Sequence, residues 1–180
     1  MTYMTFRSGE NSPLTQLRLL YEAISEKEER QVGYLQGPFL YAASITILMA
    51  LFLLAPNMYY YPIAGILIMI FADTAASVVG KKFGKHELPI KISSSKRTVE
   101  GSLTLMIVAF FCALFSFLVI GTWFPGYSVV LSVSEALSLS IIAAIISPLL
   151  EMFSPGKWDD FILPIGVSLL LMFFGVVLIT

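Results

Sequence analysis

Five apolar runs, at about residues 37–55, 61–79, 102–121, 129–150 and 161–180, limit what this chain can fold into. An α-helix needs roughly 20 predominantly apolar residues to cross the hydrocarbon core of a bilayer, and each run is about that long. Hydrophobic residues make up 57 % of the chain and charged ones 13 %, far from the balance of a soluble domain. The expected fold is all-α: a polytopic membrane helix bundle of about five transmembrane helices, preceded by an N-terminal amphipathic helix.

Charge supplies the topology. Of the eleven Lys and Arg residues, four lie before Gly33, six between Lys81 and Arg97, and the last is Lys157. Basic residues accumulate in short cytoplasmic loops, so all three segments are expected on the cytoplasmic side. Alternation of five spans gives the same answer, with the N-terminus inside and the C-terminus on the opposite side.

Residues 1–36 read as a cytoplasmic segment and 37–180 as the transmembrane domain. Ser12 and Pro13 suit an N-cap and a first-turn proline for a helix to about Arg30. Leu14, Leu17, Leu20 and Ile24 recur at helical spacing on it. Such a stripe fits a helix at the membrane interface, and equally a solvated helical linker. The opening residues are too polar for a signal peptide. Cys112 is the sole cysteine and sits mid-span, which excludes a disulfide framework and a cysteine metal site. Pro56, Asn57 and the Tyr59 to Tyr61 cluster read as an outer turn with aromatics at headgroup level. Ser138, Ser140 and Ser147 are expected on a bundle-facing side of the fourth span.

Asp73 stands inside the second apolar run. An ionised carboxylate in hydrocarbon costs roughly 2.5 to 3.5 kcal/mol on insertion scales, so it requires a partner, a watery crevice or a cation. The basic segment Lys81 to Arg97 follows it at the cytoplasmic end. Together they suggest a site for phosphates, in which cations neutralise the anion and carboxylates hold a divalent metal. Lys81, Lys82, Lys85, Lys96 and Arg97 are the candidate cations, and Asp73, Glu100, Glu151, Asp159 and Asp160 the carboxylates on that face.

Each element also has a plainer reading. A basic loop beside a span follows from the positive-inside tendency and from anionic lipid headgroups. Ala72, Ala76, Gly80 and Gly84 at one-turn spacing suit close helix packing, or room for a ligand. Gly80 and Gly84 bracket an expected turn at Lys81 to Phe83, where backbone can approach phosphate oxygens. Thr98 with Gly101 and Ser102 fits either an anion-binding helix start or a simple cap. His86 and Glu87 read as surface residues.

The blocks Asp73-Thr-Ala-Ala-Ser-x-x-Gly80-Lys-Lys-Phe-Gly84-Lys and Ser95-Lys-Arg-Thr-Val-Glu100-Gly-Ser102 resemble those of two related groups of membrane lipid enzymes. One is the CTP-dependent polyprenol kinase family, with dolichol kinase, phytol kinase and CTP-dependent diacylglycerol kinase. The other is phosphatidate cytidylyltransferase. The last loop, Glu151-x-x-Ser154-Pro155-x-x-x-Asp159-Asp160 with Pro164, is similar to the kinase pattern, although Asp160 stands where that pattern usually has Asn. The His-Gly-Gly and Asp-Arg-x-Asp blocks expected of a cytidylyltransferase do not occur. The resemblance runs from about Glu26 to Pro164. Polyprenol kinases usually have further spans upstream, so it implies either a minimal member or part of a longer protein.

What the resemblance implies is transfer of the γ-phosphate of CTP to the hydroxyl of a membrane lipid (a polyprenol such as dolichol, phytol or diacylglycerol) at the cytoplasmic face, with Mg²⁺ as the cation and no nucleic-acid partner. Asp73, Lys96 and Glu100 would act in catalysis, Glu100 by holding a lysine or the metal. Gly80, Lys81, Lys82, Gly84, Lys85, Arg97, Thr98, Ser102, Glu151 and Ser154 would bind the nucleotide phosphates. Asp73, Asp159 and Asp160 would bind the metal. A CDP-lipid synthase and a non-catalytic membrane protein are the alternatives.

Overall fold

Each apolar run becomes a helix. The computed structural model describes residues 36–54, 56–88, 97–123, 129–155 and 158–179, and the chain divides into two units, Met1–Gly37 and Pro38–Thr180. The helix expected over residues 12–30 lies outside the described residues. Described are α1 (Gln36–Leu54), α2 (Tyr60–Phe83), α3 (Val99–Ile120), α4 (Val133–Phe153) and α5 (Asp159–Ile179). By length and composition α2, α3, α4 and α5 can each cross a membrane, while α1 has a shorter apolar stretch, Phe39–Leu51. The second unit is thus an all-α polytopic membrane bundle.

Local chemistry sets the helix ends. Thr98, with extended backbone (φ −121°, ψ 150°), caps α3 by accepting a hydrogen bond from the Gly101 N–H at 3.2 Å. The fourth helix starts at Val133, four residues later than its apolar run, because Ser132 and Glu135 form a capping box. In it the Ser132 N–H donates to Glu135 Oε2 at 2.7 Å and the Glu135 N–H to Ser132 Oγ at 3.3 Å. Lys81 and Lys82 lie in the last turn of α2, where cations favour the helix dipole, and α2 accordingly runs on to Phe83.

On α3 and α4 bulky residues form the outward rows, and small residues share the inward rows with a few large ones such as Leu105, Phe117 and Leu139. On α3, Leu103, Ile107, Phe111 and Phe115 are exposed at four-residue spacing, whereas Gly101, Leu105, Ala109 and Ala113 are buried. On α4, Leu137, Ile141, Ile145 and Leu149 face outward, and Ala136, Ser140, Ala143 and Ser147 face inward. Small inward residues let backbones approach, and an apolar exterior costs nothing against lipid. Ser140 and Ser147 satisfy their hydroxyls on the Ala136 and Ala143 carbonyls, both at 2.7 Å. Ser138 departs from the expected bundle-facing row: it is exposed and donates to the Ser134 carbonyl instead. The Cys112 thiol is half-buried.

Packing runs from α2 to α3, α3 to α4, α4 to α5, and back from α5 to the first half of α2. Gly65 permits that last contact, because a Cβ there would collide with the Ser168 hydroxyl and the Pro164 carbonyl. Tyr60 and Tyr61, expected at headgroup level, face into the bundle. Both are buried, and they stack edge-to-face with Phe117 at ring-centroid distances of 5.8 and 5.7 Å, so α3 supplies the apolar surface that they cover.

Two helices carry a π-helical turn, Ile68–Asp73 in α2 and Ser116–Ile120 in α3. Such turns insert a residue and re-aim the side chains beyond them. The first ends on Asp73. Leu40, Ser44 and Leu48 form the buried line of α1, and the Ser44 hydroxyl lies 3.5 Å from Met69 Sδ within that π turn.

Candidate active site

Arg97 is the centre of the charged cluster. It precedes the cap of α3 and is only 8 % exposed. Its Nη1 lies 2.9 Å from Glu151 Oε1 at the end of α4, and its Nη2 donates to Asp159 Oδ2 at 3.3 Å at the start of α5. One guanidinium therefore ties the starts of α3 and α5 to the end of α4. Among the described residues the buried Arg97 Nε, Glu151 Oε2, Ser154 Oγ and Ser102 Oγ have no hydrogen-bond partner, while Nη1 is engaged by Glu151 in the ion pair. Leaving such a group buried and unsatisfied costs about 1–3 kcal/mol, and two of them, Arg97 Nε and Glu151 Oε2, belong to one ion pair, which calls for a polar ligand or water there.

Asp73 approaches this cluster from α2. It lies within electrostatic range of Asp159, Glu151, Asp160 and Arg97. Counted along the helix it sits about 15 Å from Phe83, inside the span, at the end of the π turn. Asp159 also accepts the Asp160 N–H on Oδ1 at 3.1 Å, and both acids occupy the positive end of the α5 dipole. Two of these carboxylates, Glu151 and Asp159, contact the Arg97 guanidinium, and Asp160 lies within electrostatic range of Asp73. Among the described residues no three His, Cys, Asp or Glu side chains converge as a ready-made metal cage.

The other expected residues fall into three groups. Lys81, Lys82 and Lys85 stand exposed at the α2 end, with Lys82 Nζ 5.4 Å from the centroid of the Phe83 ring. Gly80 and Gly84 do not bracket a turn, because Lys81 to Phe83 is the last turn of α2. A Cβ at Gly80 would sit 3.0 Å from Thr98 Oγ1, one at Gly84 2.9 Å from Thr98 Cβ, and one at Gly101 3.1 Å from the Ala76 carbonyl, so close packing of α2 on α3 accounts for these small residues. Lys96 lies outside the described residues.

Among the described residues Glu100 is held by His86. Its Oε1 lies 2.8 Å from His86 Nδ1, and its Oε2 accepts the His86 backbone N–H at 3.3 Å. Sequence reasoning left His86 as a surface residue; it is exposed, but clasped. It also passed over Tyr41 of α1, which lies within electrostatic range of Asp160. The signal available was a phenol inside the first apolar run.

A family model described as the cytidylyltransferase family matches residues 13–154. The chain belongs to that family. The matched stretch carries Asp73, Arg97, Glu100, Glu151 and Ser154, and stops short of Asp159 and Asp160. Phytol kinase from Synechocystis sp. is 28 % identical over 134 residues, which are 74 % of this chain and 52 % of that protein. The chain thus spans about half the length of this curated relative. No solved structure matches. The two matches bear out the resemblance to CTP-dependent polyprenol kinases, with its tie to the cytidylyltransferases.

Proposed function

We propose that this member of the cytidylyltransferase family is a CTP-dependent lipid kinase of the polyprenol or phytol type, acting at the cytoplasmic face of a membrane. The observation that carries this reading is the meeting of Asp73, Arg97, Glu151, Asp159 and Asp160 at one end of the bundle, where Arg97 Nε and Glu151 Oε2 are buried without a hydrogen-bond partner among the described residues. The similarity to a phytol kinase supports the reaction type. The positive-inside tendency of the lysine-bearing end supports the cytoplasmic orientation.

The donor set suits Mg²⁺, a hard cation that binds through one or two carboxylates together with substrate phosphates rather than in an all-protein cage. Asp73, Asp159 and Asp160 would hold it. Bound beside the triphosphate, it would neutralise charge that develops on the transferred phosphoryl group. The protein's own work is placement. Arg97, through its Nε hydrogen, binds phosphate oxygens, and Ser102 and Ser154 offer buried hydroxyls. Asp73, in a span, meets an acceptor hydroxyl that arrives from the lipid side and can take its proton. The reaction moves the γ-phosphate of CTP onto that hydroxyl oxygen and releases CDP.

The family match itself favours a second reading, a CDP-lipid synthase, in which phosphatidate attacks the α-phosphate and pyrophosphate leaves. Labelled CTP decides between them. With membranes holding the chain and a prenol or diacylglycerol, γ-label appears in a lipid phosphate for the kinase. For the synthase, γ-label appears in pyrophosphate when phosphatidate is supplied. Label in neither product would remove both readings.

A further inference from the structure

The loop that delivers Arg97 is closed by a short bridge. Glu87 and Thr98 pair antiparallel, the Leu88 N–H donates to the Arg97 carbonyl at 2.8 Å, and the Val99 N–H donates to the His86 carbonyl at 3.0 Å. Those two backbone bonds bring together residues separated by segment 89–96. So short a pairing has little stability of its own, since even a whole two-stranded hairpin is marginal in water. Something else must fix its register.

Glu100 does so. From the first turn of α3 it reaches back over the bridge and holds His86 twice, by the ring Nδ1 at 2.8 Å and by the backbone N–H at 3.3 Å. The imidazole is 77 % exposed, so the pair alone contributes little to stability. Its geometric effect is larger. Two bonds from one carboxylate set both the position and the orientation of His86, whose carbonyl accepts Val99 and whose neighbour Leu88 bonds to Arg97 itself. We infer that Glu100 and His86 are positioning residues, a clasp that holds Arg97 where its guanidinium meets Glu151 and Asp159, and that Glu100 does not touch the nucleotide or its metal.

This inference rests on the proposed phosphate-binding role of Arg97. It predicts a distinctive mutant pattern. In the full chain in membranes, E100A raises the KM for CTP about tenfold, in the range of one lost hydrogen bond to a charged group, H86A raises it by less because its backbone N–H still reaches Glu100, and both lower kcat only slightly. The double variant E100A/H86A is no worse than E100A alone, because E100A removes the whole clasp and H86A only its ring bond. H86N, whose side-chain amide offers a donor where Nδ1 stood, recovers most of the loss. Amide hydrogen exchange at Leu88 and Val99 quickens in H86A and E100A and is slow again in H86N.

A role for Glu100 on substrate or metal would instead give an E100A defect in kcat far beyond that of H86A. That result overturns the inference, as does additivity in the double variant, or H86A with KM and exchange at wild-type values. Exchange is read without turnover. If the unmodified chain transferred no phosphate, the functional reading would fall while the exchange data still decided the clasp.

Discussion

The Arg97 guanidinium lies 2.9 Å from the Glu151 carboxylate, and this contact joins the loop ahead of α3 to the end of α4. Both side chains are mostly buried, at 6 % and 14 % exposure. Removing one partner of such a pair leaves the other charge stranded, which costs roughly 3–5 kcal/mol in proteins. Arg97→Ala is therefore expected to lower the unfolding midpoint in detergent markedly and to abolish transfer. Arg97→Lys keeps the charge without the fork that spans two acids, and is expected to recover stability in part and transfer hardly at all. Unfolding followed by circular dichroism, beside the transfer assay, checks both.

The α2–α3 seam gives a second expectation. A Cβ at Gly101 would sit 3.1 Å from both the Ala76 carbonyl and Thr98 Oγ1, so Gly101→Leu must push the helices apart, at about 1–3 kcal/mol for overpacking. The displacement would separate Asp73 from Arg97, and transfer should fall with stability. Leu103→Ala, two residues on but facing lipid, should change the unfolding midpoint little. Equal effects at the two positions would contradict the assignment of faces.

Thr98 caps α3 through its hydroxyl. Thr98→Ala is expected to lose about 1 kcal/mol, and Thr98→Ser to lose much less, as read from unfolding midpoints.

The π turn offers a register test. Deleting Phe71, an exposed residue in Ile68–Asp73, should restore ordinary α-helical geometry and turn the residues on one side of it by about 100° relative to the other. Membrane insertion is expected to persist while transfer is lost. Retained transfer would show that the turn does not aim Asp73.

Much of this architecture is legible in the residues, and what escaped has physical causes. Each span could be placed because about 20 apolar residues have few other fates, and Asp73 stood out because an acid in hydrocarbon demands a reason. Which face of each helix points inward was harder to read. The inside of α3 and α4 is marked by small size rather than polarity, so an apolar run looks alike on all sides. That is also why the packing of Tyr60 and Tyr61 on Phe117 could not be read from the residues. The glycines at 80 and 84 were read beside their lysines, but their close neighbours are Thr98 and Gly101, which only the folded chain brings near. No residue pattern announces a π turn, nor the reach of Glu100 back to His86 across segment 89–96. The Ser132–Glu135 capping box carries the S-x-x-E spacing of a helix start, but reading the span from its apolar boundary alone placed it from residue 129, whereas α4 starts at Val133.

The central claim is that a carboxylate inside α2 works with the Arg97 cluster on a nucleotide phosphate. Its most direct test is the rate at which γ-labelled CTP phosphorylates a prenol or diacylglycerol in membranes with equal amounts of the unmodified chain and of Asp73→Asn. This account predicts a fall of at least about 100-fold, in the range for loss of a general base, at normal expression and with unaltered melting. Turnover within a few-fold of the unmodified chain would contradict it.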